Sequence, residues 1–165
     1  MRHNSGFSLV ELLIVLMVIM IVTAIAVPAL LQARRSANES AALGTLRTMA
    51  SAQVTFAARN NQQYGPLGEL VKGGYIDDRF SDLTRAINGY LFYDSNSVGS
   101  VPPQIEGSAL PLTPPNGFAF SAQPQSPNQG RYNFAIFADG VLRYGNQFPV
   151  GAGAGRPVGQ GATAP

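Results

Sequence analysis

The chain of 165 residues contains no cysteine, one histidine and one lysine. Without cysteine there can be no disulfide, no thiolate metal site and no cysteine nucleophile. The single histidine, His3, precedes a long apolar run, so neither a Ser-His-Asp set nor a histidine-based metal site can be assembled. Charged residues are scarce, at 12%, and the net charge of +2 is spread along the chain. No basic patch interleaved with aromatics is present, which removes support for nucleic-acid binding. Neither a phosphate-cradling glycine loop nor a dinucleotide fingerprint occurs. The acids Asp77, Asp78, Asp82, Asp94 and Asp139 match no EF-hand spacing and read as solvated loop acids, so no metal or other cofactor is expected. What survives these exclusions is a structural or interaction protein with no evident small-molecule ligand and no enzymatic activity.

What the chain does have is residues 7–31, almost wholly apolar, with Glu11 as the only ionisable side chain among them. As a helix this run would reach roughly 37 Å, enough to cross a ~30 Å hydrocarbon layer with some tilt. A carboxylate in such a segment costs about a few kcal/mol on insertion scales, less near the end of the run than at its centre. Glu11 is therefore a candidate functional residue in need of a partner. From the residues alone three readings stand. A secretory signal peptide could be cut after Ala26, since Ala24-Ile25-Ala26 fits a small-x-small site. A plain single-pass anchor leaves Glu11 unexplained. A cut ahead of the run would keep it in the mature chain. Arg2 on one side and Arg34 and Arg35 on the other nearly balance, so charge does not orient the segment.

The order Met1-Arg2-His3-Asn4-Ser5-Gly6 followed by Phe7-Ser8-Leu9-Val10-Glu11-Leu12-Leu13 strongly resembles the class III signal of type IV pilins and of the pseudopilins of type II secretion. The resemblance implies a leader cut between Gly6 and Phe7 by a prepilin peptidase, with N-methylation of Phe7. It makes Glu11 the fifth residue of the mature chain, where the family carries its acid, and puts Pro28 where the family often has a helix-bending proline. It further implies a precursor held in the bacterial inner membrane with its N-terminus in the cytoplasm. An assembly platform then builds a homo-oligomeric filament in which Glu11 meets the Phe7 amine of a neighbour. A pilus subunit is the first expectation, and a type II secretion pseudopilin forming a periplasmic piston is the alternative. The chain departs from disulfide-bearing major pilins by having no cysteine.

The expected fold is α+β: a long N-terminal helix on a small antiparallel sheet, in the pilin-like lollipop plan. Beyond the run, Leu43, Leu46, Ala50, Val54 and Ala57 recur at spacings of three and four. Arg34, Arg35, Asn38, Glu39, Thr45, Arg47, Thr48, Gln53 and Arg59 fall on the other faces. One continuous helix over residues 8–59 is predicted, with Pro28 as a kink or weak point and Asn60-Asn61 as its end. A short helix with a Gly73-Gly74 stop should follow, then another short helical piece over 81–86. Strands are expected at 90–93, 117–121, 132–138 and 141–144, with a type I′ turn at Asp139-Gly140. On the third strand, Tyr132, Phe134, Ile136 and Ala138 should face the helix. The proline-rich stretch 101–115 reads as an exposed loop. The segments are then leader 1–6, transmembrane or filament-core helix 7–31, amphipathic helix 32–60, globular head 61–148 and a disordered Gly/Ala/Pro tail 149–165.

The cut site is directly testable. N-terminal sequencing of the mature chain should begin at a methylated Phe7, and replacing Gly6 by a larger residue should leave uncut precursor in the membrane. A mature chain beginning at Val27 would instead make it a secreted soluble domain.

Overall fold

The computed structural model describes residues 7–94, 116–145 and 156–157. A single helix, α1 (Leu9–Arg59), carries the first third of the chain. It is followed by α2 (Leu67–Lys72), a 3-10 turn (Asp78–Phe80) and strands β1 (Tyr90–Asp94), β2 (Ala119–Pro124), β3 (Asn133–Phe137), β4 (Leu142–Gly145) and β5 (Arg156–Pro157). The fold is α+β, as expected. The structure divides into two units between Arg34 and Arg35.

In the first unit the described residues are the apolar part of α1, and every one of them is exposed. A run of Leu, Ile, Val, Met and Ala is suited to helix where no water can satisfy the backbone, because each N–H and C=O then finds its partner within the segment. The helix continues through Pro28, which lacks the N–H that would bond four residues back. Thr23 donates its hydroxyl to the carbonyls of Ile19 (2.9 Å) and Met20 (3.0 Å), satisfying a polar group with the helix's own backbone.

The second unit is built on α1 from Arg35 onward. Alanine is frequent there and favours helix. Its inward residues are Ala42, Leu46, Met49, Ala50, Ala52, Gln53 and Ala57. Leu46, Ala50 and Ala57 match the predicted stripe and Leu43 is partly buried. Val54 is 59% exposed, whereas Gln53, assigned to the outer faces, is fully buried. The reason is a paired hydrogen bond. Gln53 Nε2 donates to the Gly65 carbonyl at 2.7 Å, and Gly65 N–H donates to Gln53 Oε1 at 3.2 Å. That pair fixes the returning chain on the helix and turns the adjacent Val54 outward. The helix ends as predicted: Asn61 takes φ 52, and Gln62 N–H donates to the Ala57 carbonyl at 2.9 Å. After α2, Gly74 N–H bonds Val71 O and Tyr75 N–H bonds Leu70 O, a Schellman closure at the predicted Gly-Gly stop. The helical piece expected over 81–86 is not formed. Instead Asp77 accepts from Arg79 N–H and starts the 3-10 turn three residues earlier.

All neighbouring strands pair antiparallel in the order β1-β2-β3-β4-β5. The first four were expected. The fifth, a two-residue strand paired with β4, is an addition. The rest of 149–165 lies outside the described residues, as does the loop 101–115. Phe134 and Ile136 join Leu46, Met49, Leu70, Phe80, Tyr90, Phe92 and Phe120 in one core, so the predicted inner face of β3 is correct. The other face is buried as well: Ala135 and Phe137 have no exposed surface, and the Arg143 guanidinium lies 5.2 Å from the Phe137 ring centre.

The β3–β4 connection sits at the predicted dipeptide but has a different turn. A type I′ turn needs positive φ at both central residues; Gly140 has φ 71 and Asp139 is not positive. Gly140 N–H donates to Phe137 O at 2.9 Å and Ile136 pairs with Leu142, so residues 138–141 join β3 to β4 with Gly140 in the left-handed region. Asp139 stabilises this loop, accepting from Val141 N–H (2.9 Å) and from both Arg143 nitrogens (2.6 and 3.2 Å).

A polar seam holds residues 125–131 to the start of this helix half. Arg35 donates to Asn128 Oδ1 (3.1 Å), Asn38 to the Gln129 carbonyl (3.0 Å), and Arg131 N–H to Glu39 Oε1 (2.7 Å). Beneath it Tyr90 donates its hydroxyl to Tyr132 O at 3.0 Å. Burial, and secondarily the Glu39 charge, push that hydroxyl's pKa far above the ordinary tyrosine value. A side chain at Gly130 would fall on the Tyr90 hydroxyl, so this approach requires glycine.

Two outcomes follow for full-length protein in detergent. Gln53→Ala strands the buried Gly65 groups and should cost about 2 kcal/mol, lowering the melting temperature by roughly 10 °C. Val54→Ala should change stability by less than about 0.5 kcal/mol. The second concerns acid. Burial raises the Asp139 pKa, but the hydrogen bonds from Arg143 and Val141 and the Arg143 charge outweigh it, holding the carboxyl below its ordinary 3.8. A depressed folded pKa stabilises fully above the unfolded value and is lost as pH falls through the folded one. The stability gap between wild type and Asp139→Asn, followed from about pH 6 to pH 2, should therefore close below 3.8.

Candidate assembly surface

The candidate site is a surface rather than a pocket. Phe7 and Leu9, 78% and 79% exposed, begin a band of large apolar side chains that continues through Val18, Ile25 and Leu31. None of the most apolar window of α1 is buried, and the helix is long and apolar enough to cross a membrane. A soluble monomer seldom exposes more than a few hundred Å² of contiguous apolar surface, so this band needs a covering of lipid or protein.

Among the predicted site residues, Phe7 precedes the first helical residue and Glu11 lies in the first turn. There the unpaired N–H groups and the helix dipole favour a negative charge. The Ser8 carbonyl accepts from Leu12 N–H at 3.2 Å, so the helix begins at Leu9, two residues before Glu11. Pro28 lies inside α1. Gly6 lies outside the described residues. The structure brings neither Phe7, Glu11 nor Pro28 into contact with another charged side chain among the described residues. The surface runs along one stretch of helix, and nothing among the described residues covers it.

The remaining acids have separate tasks. Asp77 caps the 3-10 turn, Asp82 accepts from Thr84, Asp94 accepts from Leu67 N–H at 3.4 Å and Asp139 pairs with Arg143. Among the described residues no three His, Cys, Asp or Glu side chains converge as a metal site.

Residues 1–27 match the family described as the prokaryotic N-terminal methylation motif. The chain is also similar to the type IV wide pilus major component PilA4 of Thermus thermophilus. The two are 31% identical over 105 residues, spanning 61% of this chain and 80% of that one. The chain belongs to the type IV pilin and pseudopilin family. No solved structure matches it.

Membership accounts for the pairing of a fully exposed apolar helix with a well-packed sheet unit. A pilin-like subunit is a structural component, and its N-terminal helix fits an inner-membrane anchor before assembly. Sequence reasoning missed the residues that fasten the sheet unit to α1. Arg35, Asn38 and Glu39 read as ordinary outer-face polar residues, and their partners lie more than ninety positions away. The only local signal was an unusually polar start to the amphipathic half.

Proposed function

We propose that the chain is a structural subunit of a type IV pilus filament, made as an inner-membrane prepilin with its N-terminus in the cytoplasm. Its leader, residues 1–6, is cut between Gly6 and Phe7, and Phe7 is N-methylated. Residues 7–31 then move from lipid into the filament core, with 32–60 continuing the helix into the 61–148 head and 149–165 as a tail. The observation that carries this reading is the bare apolar surface of α1 with a carboxylate in its first turn. The pilus arm is supported by the relative, itself named a major pilus component.

Lipid and the apolar sides of neighbouring helices are nearly equivalent environments, so one surface serves both states. Cleavage removes Arg2 and the polar leader, which could not enter an apolar core, and creates an amine on Phe7. In the filament Glu11 pairs with that amine on an adjacent subunit. Desolvation offsets most of the attraction between a buried pair, so the gain lies in register: a misplaced subunit leaves a charge unpaired at a cost of about 3–5 kcal/mol. Pro28, with one helix bond missing, is where the helix bends as the subunit leaves the membrane. A prepilin peptidase and an assembly platform are the partners this route requires.

Glu11→Ala should be processed to a Phe7 start much like wild type while filament yield falls by roughly tenfold or more, consistent with the cost of an unpaired partner. Electron microscopy of surface filaments and N-terminal sequencing read the two effects separately. Normal filament yield from Glu11→Ala would contradict the register role, and filaments confined to the periplasm would point to a secretion pseudopilus.

A further inference from the structure

The second unit carries a basic groove that none of these roles uses. It is bounded by the exposed side of α1 and by the turn after α2, and encloses about 600 Å³. Arg47 and Arg59 stand toward its two ends, twelve positions apart and so roughly 18 Å along the helix axis. Thr48, Ser51 and Thr55 supply exposed hydroxyls between them, and no acid lines it. The Arg59 guanidinium lies 5.8 Å from the centre of the Tyr75 ring, which holds it against one wall. Neither arginine forms an ion pair among the described residues.

The complement lies on the same chain. Asp77, Asp78 and Asp82 are exposed on and around the 3-10 turn. Arg79 approaches Asp77 only to 3.8 Å, and its guanidinium lies over the Phe80 ring at 5.0 Å. Asp78 and Asp82 line a second, smaller cavity of about 400 Å³ together with Arg79 and Arg85, so the turn sets its three acids against two arginines and stays net acidic, and among the described residues no side-chain ion pair is formed by Asp78 or Asp82.

We infer that the Arg47–Arg59 groove receives the acidic turn around Asp78 and Asp82 of a second copy of this chain. The inference rests on the filament reading. A filament repeats one heterologous contact, so every subunit must present both a patch and its complement. Here each chain presents an unpaired basic groove and an exposed acidic turn. Exposed pairs of this kind contribute orientation and rejection of wrong registers more than affinity, and they weaken with salt.

The absence of cysteine provides a clean test. Full-length Ser51→Cys and Ser81→Cys chains, one carrying a tag, are co-assembled and treated with a short bis-maleimide. The expected product is the mixed dimer, with little product from either variant assembled alone. In parallel, Arg47→Glu with Arg59→Glu should lower filament yield by roughly tenfold, and adding Asp78→Arg with Asp82→Arg should restore most of it. Filaments that form but give no mixed dimer, or a charge reversal without effect, would overturn this inference alone. Failure of the wild-type chain to form any filament would overturn the filament reading with it.

Discussion

A helix about 76 Å long must satisfy two surroundings at once. Up to Arg34 its side chains are mostly apolar, with Glu11 the one acid among them, and are uncovered on all sides. From Arg35 it has one dry face, closed by the sheet and α2, and one wet face. Nothing among the described residues covers the first stretch, so the protein is incomplete as an isolated molecule in water. Lipid and like helices are the surroundings that can complete it, and movement between them is the proposed life of the subunit.

The second unit packs on its own part of α1, from Arg35 onward. Its core is aromatic, with Phe80 against Phe92, Tyr64 against Phe118 and Tyr132 against Tyr144 in edge-to-face contacts. Polar attachments reinforce it at both ends of the helix half. Gln53 holds the chain leaving the helix, while Arg35, Asn38 and Glu39 hold the chain returning at residues 125–131. Burial without these bonds would leave backbone groups unpaired at about 1–3 kcal/mol each. In the proposed filament such a unit is carried as a body while the wet face, with Arg47 and Arg59, stays open to a neighbour.

Local signals made most of this legible. The extent of α1 was predictable because its apolar run, its alanines and its Asn60-Asn61 end all agree. The Gly73-Gly74 stop and the position of the β3–β4 turn were likewise written in short-range chemistry. The failures are equally physical. Val54 looked like core by spacing, yet the inward position went to Gln53, whose amide satisfies the buried Gly65 backbone. The turn at Asp139-Gly140 was given its mirror-image form because the dipeptide does not reveal that Asp139 stays out of positive φ while its carboxylate is taken up by Val141 and Arg143. For the assembly surface, Phe7, Glu11 and Pro28 could be picked out from sequence because an acid and a proline stand alone in an apolar run. In the proposed filament their partners belong to other molecules, and such partners cannot be read from one chain.

The central claim is that the surface bare in the monomer is the surface buried in the filament. In this cysteine-free chain, Val18→Cys places one thiol in the middle of that surface. Filaments of this variant, in detergent-free buffer, should resist a bulky water-soluble maleimide, while Ser36→Cys at an exposed position of the second unit reacts readily. Equal, rapid labelling of Val18→Cys in intact filaments would contradict the account.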